Sequence, residues 1–221
     1  MLLRISLFCI WAACLTFSAN AQVSLGASLG ANYSFWDWHI KNINTDLGLN
    51  PSIGYRAAAV VDWRIGTVLG LRAEMGYQVW RNSLDVSVTS SNGSEDIPGT
   101  THQHFQNWSG SLLASVSPFS GKNFYLLAGP TVAYTASAWY SGDEFLLEPG
   151  ASATIDIDLA NYNRTQVFAD FGGGVKFPLG AKGSLFGELR YQLPLTNLSG
   201  IDNVDASLSS LLLNVGYLFQ L

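Results

Sequence analysis

The chain has 221 residues, 48% of them hydrophobic, 13% aromatic and only 12% charged, with 22 Gly and a formal charge of −5. A soluble domain usually carries about 25% charged residues, so the solvating surface is roughly halved; the aromatic content excludes a disordered chain and the acidic balance a nucleic-acid binder. Beyond residue 21 no apolar run reaches the ~18–20 residues of a spanning helix, which leaves a β-rich chain in an unusual solvent.

Residues 1–21 read as a cleaved signal peptide: Arg4 supplies the positive charge, Ile5 to Phe17 the apolar stretch, and Ala19-Asn20-Ala21 a small-x-small cleavage site. The alternative, a lipoprotein signal ending at Cys14, has Trp11 where such signals take an aliphatic residue. Both cysteines, Cys9 and Cys14, leave with the signal peptide, so the mature domain, 22–221, has no thiol, disulfide or Cys metal site.

The mature chain carries one signal eight times, period-two alternation broken by turn-rich segments. In the first strand Val23, Leu25, Ala27, Leu29, Ala31, Tyr33 and Phe35 oppose Ser24, Gly26, Ser28, Gly30, Asn32 and Ser34. The second, 52–65, sets Ile53, Tyr55, Val61 and Trp63 against Gly54, Arg56, Asp62 and Arg64; the third, 68–80, sets Leu69, Met75, Tyr77 and Val79 against Arg72, Glu74 and Gln78. The fourth, 105–116, is the least regular, because Phe105 and Leu113 oppose Trp108, Leu112 and Val116. The fifth, 124–140, opposes Phe124, Leu126, Val132 and Tyr134 to Gly129, Thr131, Thr135 and Ser137; the sixth, 166–177, opposes Phe171, Val175 and Phe177 to Asp170, Gly172, Gly174 and Lys176. The seventh, 184–195, opposes Leu185, Leu189, Tyr191 and Leu193 to Glu188, Arg190 and Gln192, and the eighth, 208–221, opposes Leu211, Leu213, Tyr217 and Phe219 to Asn214, Gly216 and Gln220.

A soluble lipocalin-like barrel would show the same alternation with the apolar face inward. Three features favour the apolar face outward, in lipid. The polar face is mostly Gly, Ser, Thr and Asn with few charges. The only lysines are Lys41, Lys122, Lys176 and Lys182, too few for a water-facing exterior. Aromatic residues gather at strand ends, with Phe35, Trp36, Trp80, Trp108, Trp139 and Tyr140 at one rim and Trp63, Phe124, Phe177 and Phe219 at the other, as in a transmembrane barrel's girdles. Short links near 66–67, 117–123 and 178–183 alternate with longer ones near 36–50, 81–104 and 141–165 and a modest one near 196–207. The expected fold is therefore all-β: an eight-stranded antiparallel up-and-down transmembrane β-barrel in a bacterial outer membrane, with both termini periplasmic and long acidic links outside.

The last eight residues, from Asn214 to Leu221, follow a polar-x-Gly-x-x-apolar-x-apolar pattern through Gly216 and Phe219. That pattern fits a C-terminal signal for the barrel assembly machinery, read by strand addition at an open edge; an ordinary last strand is the alternative. The chain resembles the PorT-like eight-stranded outer-membrane β-barrel family of Bacteroidota-type bacteria. The resemblance rests on Ala128-Gly129-Pro130, Asp170-Phe171-Gly172-Gly173-Gly174-Val175, Glu188, Arg190-Tyr191, Leu195-Thr196-Asn197, Gly216-Tyr217 and Phe219, and covers 124–221 best. It implies a membrane barrel, and some members are linked to type IX secretion.

Candidate chemistry is sparse. His102-x-His104 could bind a metal or serve a lipid-modifying hydrolase at the outer rim, and His39 is the other loop-proximal histidine; solvated loop residues are the simpler reading. No His-Glu-x-x-His motif is present, and the one Gly-x-Ser-x-Gly match, Gly26 to Gly30, lies within the alternation of the first strand, so neither motif supports an enzyme. Asp156-x-Asp158 with Glu148 could hold Ca²⁺ but lacks EF-hand spacing, and an acidic loop is the simpler reading; Gly172-Gly173-Gly174 reads as a relief of barrel curvature. No cofactor is expected. Arg72 and Glu74 in the third strand and Glu188 and Arg190 in the seventh face inward from opposite walls, so an interior mixed-sign network is expected, with Arg56, Asp62, Arg64, Asp170 and Lys176 as further members. The expected function is a non-enzymatic anchor, scaffold or loop-presenting barrel with a protein partner at its extracellular loops. The alternative is a lipid hydrolase or acyltransferase using a loop-proximal His. A channel is disfavoured because side chains nearly fill an eight-stranded lumen.

Overall fold

The computed structural model describes residues 21–40, 43–46, 49–89, 96–119, 123–142, 153–180, 182–201 and 203–221. All of the expected signal peptide except Ala21 lies outside the described residues, as do Glu95, Asp143, Glu144 and Glu148.

Among the described residues ten strands form: β1 (Ala21–Ile40), β2 (Ile43–Asp46), β3 (Asn50–Ile65), β4 (Leu69–Thr89), β5 (Asp96–Val116), β6 (Phe124–Gly142), β7 (Ala153–Asp156), β8 (Thr165–Leu179), β9 (Gly183–Pro194) and β10 (Val204–Gln220). The eight long ones pair antiparallel in the order β1, β3, β4, β5, β6, β8, β9, β10, and β10 pairs back onto β1 from Ser24↔Gln220 to Ile40↔Val204. The sheet is closed, so the wall has no open edge. The short strands β2 and β7 pair with the ends of β1 and β6.

One end of the barrel carries the short connections and both ends of the described chain. Gly66 and Gly180 adopt φ of 73° and 71° there, in the left-handed region that a residue with a Cβ adopts only with strain. The opposite end carries strand extensions. Most of 81–104, expected as a long link, is hairpin: β4 and β5 pair continuously out to Thr89↔Asp96. The reason is visible in Leu84, Val86 and Val88 alternating with Asp85, Ser87 and Thr89. About eleven tilted residues cross a bilayer's apolar band, and β4 has 21, so the ladder runs well past it.

Alternation places the apolar face outward, where Leu29, Met75, Leu126, Leu189 and Val215 are all exposed. The irregular fourth strand resolves on this parity: Phe105 and Leu113 point into the lumen, 1% and 0% exposed. Trp36 and Trp80, expected in a rim girdle, are also buried in the lumen: Trp36 follows the outward Phe35 by one position, and Trp80 shares its parity with the buried Gln78 and Asn82. Val79, expected on the outward apolar face, is buried as well, across from Tyr55 where the β3 register shifts. Ser137, expected inward, is exposed: a register shift between Gln106 and Asn107 inserts a residue into β6 and reverses its parity.

Candidate functional site

Lumen positions recur every second residue, and among the described residues charge occupies them only on β3, β4, β8 and β9. Arg72 Nη2 and Nε donate to Asp62 Oδ2 at 2.6 and 2.9 Å, and Arg72 Nη1 reaches across the lumen to Glu188. Glu74 accepts from Arg56 Nη2 at 2.8 Å and from Arg190 Nη1 and Nη2 at 2.8 and 2.5 Å. Glu188 also accepts from Arg190 and from the Tyr125 hydroxyl, the latter at 2.5 Å. Lys176 Nζ donates to both oxygens of Asp62 at 3.1 Å. The Arg72 guanidinium packs over the rings of Phe186 and Tyr125, 4.9 and 5.3 Å from their centroids. Any of these charges alone in the lumen would cost several kcal/mol. Held together, each finds an opposite charge within hydrogen-bond reach.

Of the nine residues expected to form this network, two stand apart. Arg64 is exposed at the turn end, and Asp170 accepts from Gln192 Nε2 at 3.0 and 3.1 Å. Tyr125 belongs to the cluster and was not foreseen; its place opposite the outward Phe124 and Leu126 was the available signal. One glycine of β8, Gly174, also serves the cluster. A Cβ on Gly174 would lie 2.7 Å from Glu188 Cγ and 2.8 Å from the Tyr125 hydroxyl, so its bareness makes room for buried charge and not only for curvature.

Between this cluster and the extension end lies a polar layer, in which Thr135 Oγ1 donates to Asn107 at 2.7 Å and Asn32 Nδ2 to the Val79 carbonyl at 3.0 Å. Above it sits an apolar plug. Trp36 packs on Phe105 and Trp80 on Phe168, with ring centroids 5.0 and 5.6 Å apart, and Leu159 and Leu198 fold in from the connections. Asn163 pins the two connections together by donating to the carbonyls of Asn197 and Ser199 at 2.8 and 2.9 Å. Asp158, a candidate Ca²⁺ ligand, instead caps the 3₁₀ turn Leu159–Asn161, accepting from the Ala160 N–H at 2.9 Å. Asp156 sits in β7 opposite Trp139. Among the described residues no group of three or more His, Cys, Asp or Glu could hold a metal ion.

The histidines lie on the extension end. His39 and His102 are exposed. His104 faces outward beyond the lipid-facing stretch of β5 that begins at Trp108, stacked on Trp139 at 4.9 Å. Its Nε2 is 2.7 Å from Ser141 Oγ, and its Nδ1 accepts from Arg81 Nε at 3.0 Å. Burial, then the Arg81 charge and His102, hold its imidazole down to about 4. With Nδ1 occupied as an acceptor, the neutral ring carries its proton on Nε2 and donates to Ser141. A general base would need the reverse tautomer, with a carboxylate on Nδ1.

The four residues of the C-terminal pattern divide between the two faces. Asn214 is buried in the lumen and Gly216 leaves room for the Phe186 ring, whereas Phe219 and Leu221 face outward, 44% and 73% exposed.

A model of the outer membrane protein β-barrel domain matches residues 17–200. No curated protein matches the chain in sequence. Among solved structures it is similar to Ail, the attachment invasion locus protein of Yersinia pestis, at 14% identity over 91% of this chain and 99% of that one, with a TM-score of 0.41. It is similar to Neisserial surface protein A at 13% identity over 90% and 98% of the two chains, TM-score 0.48. It is also similar to the outer membrane protease OmpT of Escherichia coli, at 11% identity over 91% and 96%, TM-score 0.38.

Proposed function

The chain belongs to the outer membrane protein β-barrel domain family, and from that premise we propose a closed, non-enzymatic barrel that holds its acidic extensions outside the cell for a protein partner. Both termini then lie in the periplasm. The observation that carries this reading is a lumen filled twice over, by the charge cluster of Arg72, Glu74, Glu188 and Arg190 and by the plug around Trp80. A filled, cross-braced lumen suits a rigid platform better than a pore. In biogenesis Asn214, Gly216, Phe219 and Leu221 form the signal for the barrel assembly machinery. The PorT-like resemblance over 124–221 extends the proposal to a partner in protein secretion. The test is photo-crosslinking in intact cells from positions in the β4–β5 hairpin, followed by mass spectrometry. A specific protein adduct is expected; adducts to lipid alone would overturn the partner role.

The contact between His104 and Ser141 favours a second reading, a lipid hydrolase at the outer rim. Against it stand the Arg81 hydrogen bond to Nδ1, which sets the wrong tautomer for a base. Mass spectrometry of lipid A from a deletion strain separates the two readings. Unchanged acylation is expected, and a changed pattern would transfer the assignment to the enzyme.

A further inference from the structure

At the turn end the lumen opens into a cavity of about 260 Å³ whose charged lining is Asp62, Arg64, Lys176 and Lys182, with Ser24 and Gln220 among its polar residues. Asp62 is already committed, because it accepts from Arg72 and Lys176. From the cavity floor inward, Arg56, Arg72, Lys176 and Arg190 equal Asp62, Glu74, Asp170 and Glu188 in number. Arg64 and Lys182, both exposed, are therefore a surplus of positive charge at the mouth.

This surplus runs against the composition. The chain has 16 acidic and 11 basic residues, yet the connections 66–68, 117–123 and 180–182 contain no Asp or Glu and include Lys122 and Lys182. Apart from the four lumen acids, every acidic residue among the described ones, from Asp37 to Asp205, lies in or beside strand extensions and connections of the opposite end. A concave mouth with low-dielectric walls focuses such a field. The cavity is lined from the lumen side, while Phe177 and Leu185 beside it face outward, so it is reached along the barrel axis from water and not sideways from lipid. Water takes about 30 Å³ per molecule, so the space holds an oxyanion with part of its hydration shell. With Lys176 held by Asp62, the Arg64 guanidinium and the Lys182 ammonium remain to face phosphate or carboxylate oxygens in this space.

We infer that this mouth is an anion-binding vestibule for the phosphate or carboxylate group of a soluble ligand. Its placement in the periplasm rests on the orientation proposed above; the binding does not.

The test uses the full mature chain folded in uncharged detergent micelles, with amide NMR shifts at Gly180, Gly183 and Gln220 followed during titration with inorganic phosphate and, separately, with tetraglutamate. A saturable shift with at least one probe is expected, and the probe that saturates assigns the chemistry. Arg64→Gln and Lys182→Gln should each weaken it about tenfold, while Arg164→Gln, the same charge change at the extension end, should leave it unaltered. Both mouth side chains are exposed, and an unchanged heat-dependent shift on SDS gels verifies folding of each variant. Non-saturating shifts with both probes, or an equal loss in Arg164→Gln, would overturn the vestibule. Membrane-impermeant labelling of a Lys182→Cys variant in intact cells tests the orientation alone: labelling from outside would reverse the barrel and leave the binding result standing.

Discussion

Arg72 on β4 and Glu188 on β9 meet in an ion pair across the lumen, and Glu74 and Arg190, each two residues further along, meet in a second pair of opposite order. Both pairs join residues 116 apart in sequence. In the closed ring β10-β9-β8-β6-β5-β4-β3-β1, β4 and β9 stand on opposite walls, so each pair is a strut across the diameter. The order of signs matters. A slip of two residues on either strand would bring like charge against like charge, so the struts penalise a mis-registered closure that hydrophobic alternation alone would tolerate.

Removing Glu74 leaves Arg56 and Arg190 without their main acceptor in a buried site. Glu74→Ala is therefore expected to lower stability by about 3–5 kcal/mol. Asp156→Ala, in an exposed four-residue strand, should stay within about 0.5 kcal/mol. Urea unfolding of both variants in the same lipid or detergent checks this, and equal losses would contradict a cross-braced core.

The two closures of the lumen make separate predictions. Wild-type protein in planar bilayers should give no steady conductance. Trp80→Ala should cost about 3–5 kcal/mol, because the side chain is fully buried against Phe168. It should nonetheless remain non-conducting, since the charge cluster closes the lumen below. A stable open channel in the wild type would refute the filled lumen; one in Trp80→Ala alone would leave the plug as the only seal.

Alternation made the strands and their inward residues legible, because a period of two leaves each residue only one face to occupy. The charges of the third and seventh strands were legible for the same reason. What alternation could not supply was height and tertiary filling. Trp36 and Trp80 were read by their nearness to strand ends, yet their parity already pointed inward, and the plug they join also needs Leu159 and Leu198 from connections with no periodic signal. Parity fails locally at Ser137, where a bulge intervenes. The His104–Ser141 contact depends on pairing β5 with β6, and only register brings the two together.

His104 supplies a prediction with a sign. Its imidazole is held down to about 4 by burial, Arg81 and His102, against about 6.5 in an unfolded chain. Between those values the unfolded chain binds a proton that the folded one does not, so stability rises with pH across that window and is lost as pH falls from 6.5 toward 4. Ring resonances of His104 should not titrate until pH nears 4, and Arg81→Gln should move the midpoint upward. Titration of the wild-type ring near 6.5 would contradict the Arg81–His104 geometry and reopen the base role.

Phe219 allows the assembly signal to be separated from ordinary strand stability. It faces outward near the turn end, opposite Gly183 on β9, and Phe177 faces outward at the same end, opposite Leu185. A lysine at either position meets the edge of the apolar band, where the cost falls to about 0–1 kcal/mol from its value at the midplane. Phe219→Lys and Phe177→Lys should therefore refold in vitro with similar stability. In cells the two should diverge: only Phe219→Lys spoils the pattern shared by Asn214, Gly216 and Leu221, and it should lose assembled protein and accumulate degraded periplasmic forms. Equal amounts of both variants in the outer membrane would make the C-terminal pattern simply the last strand of a barrel.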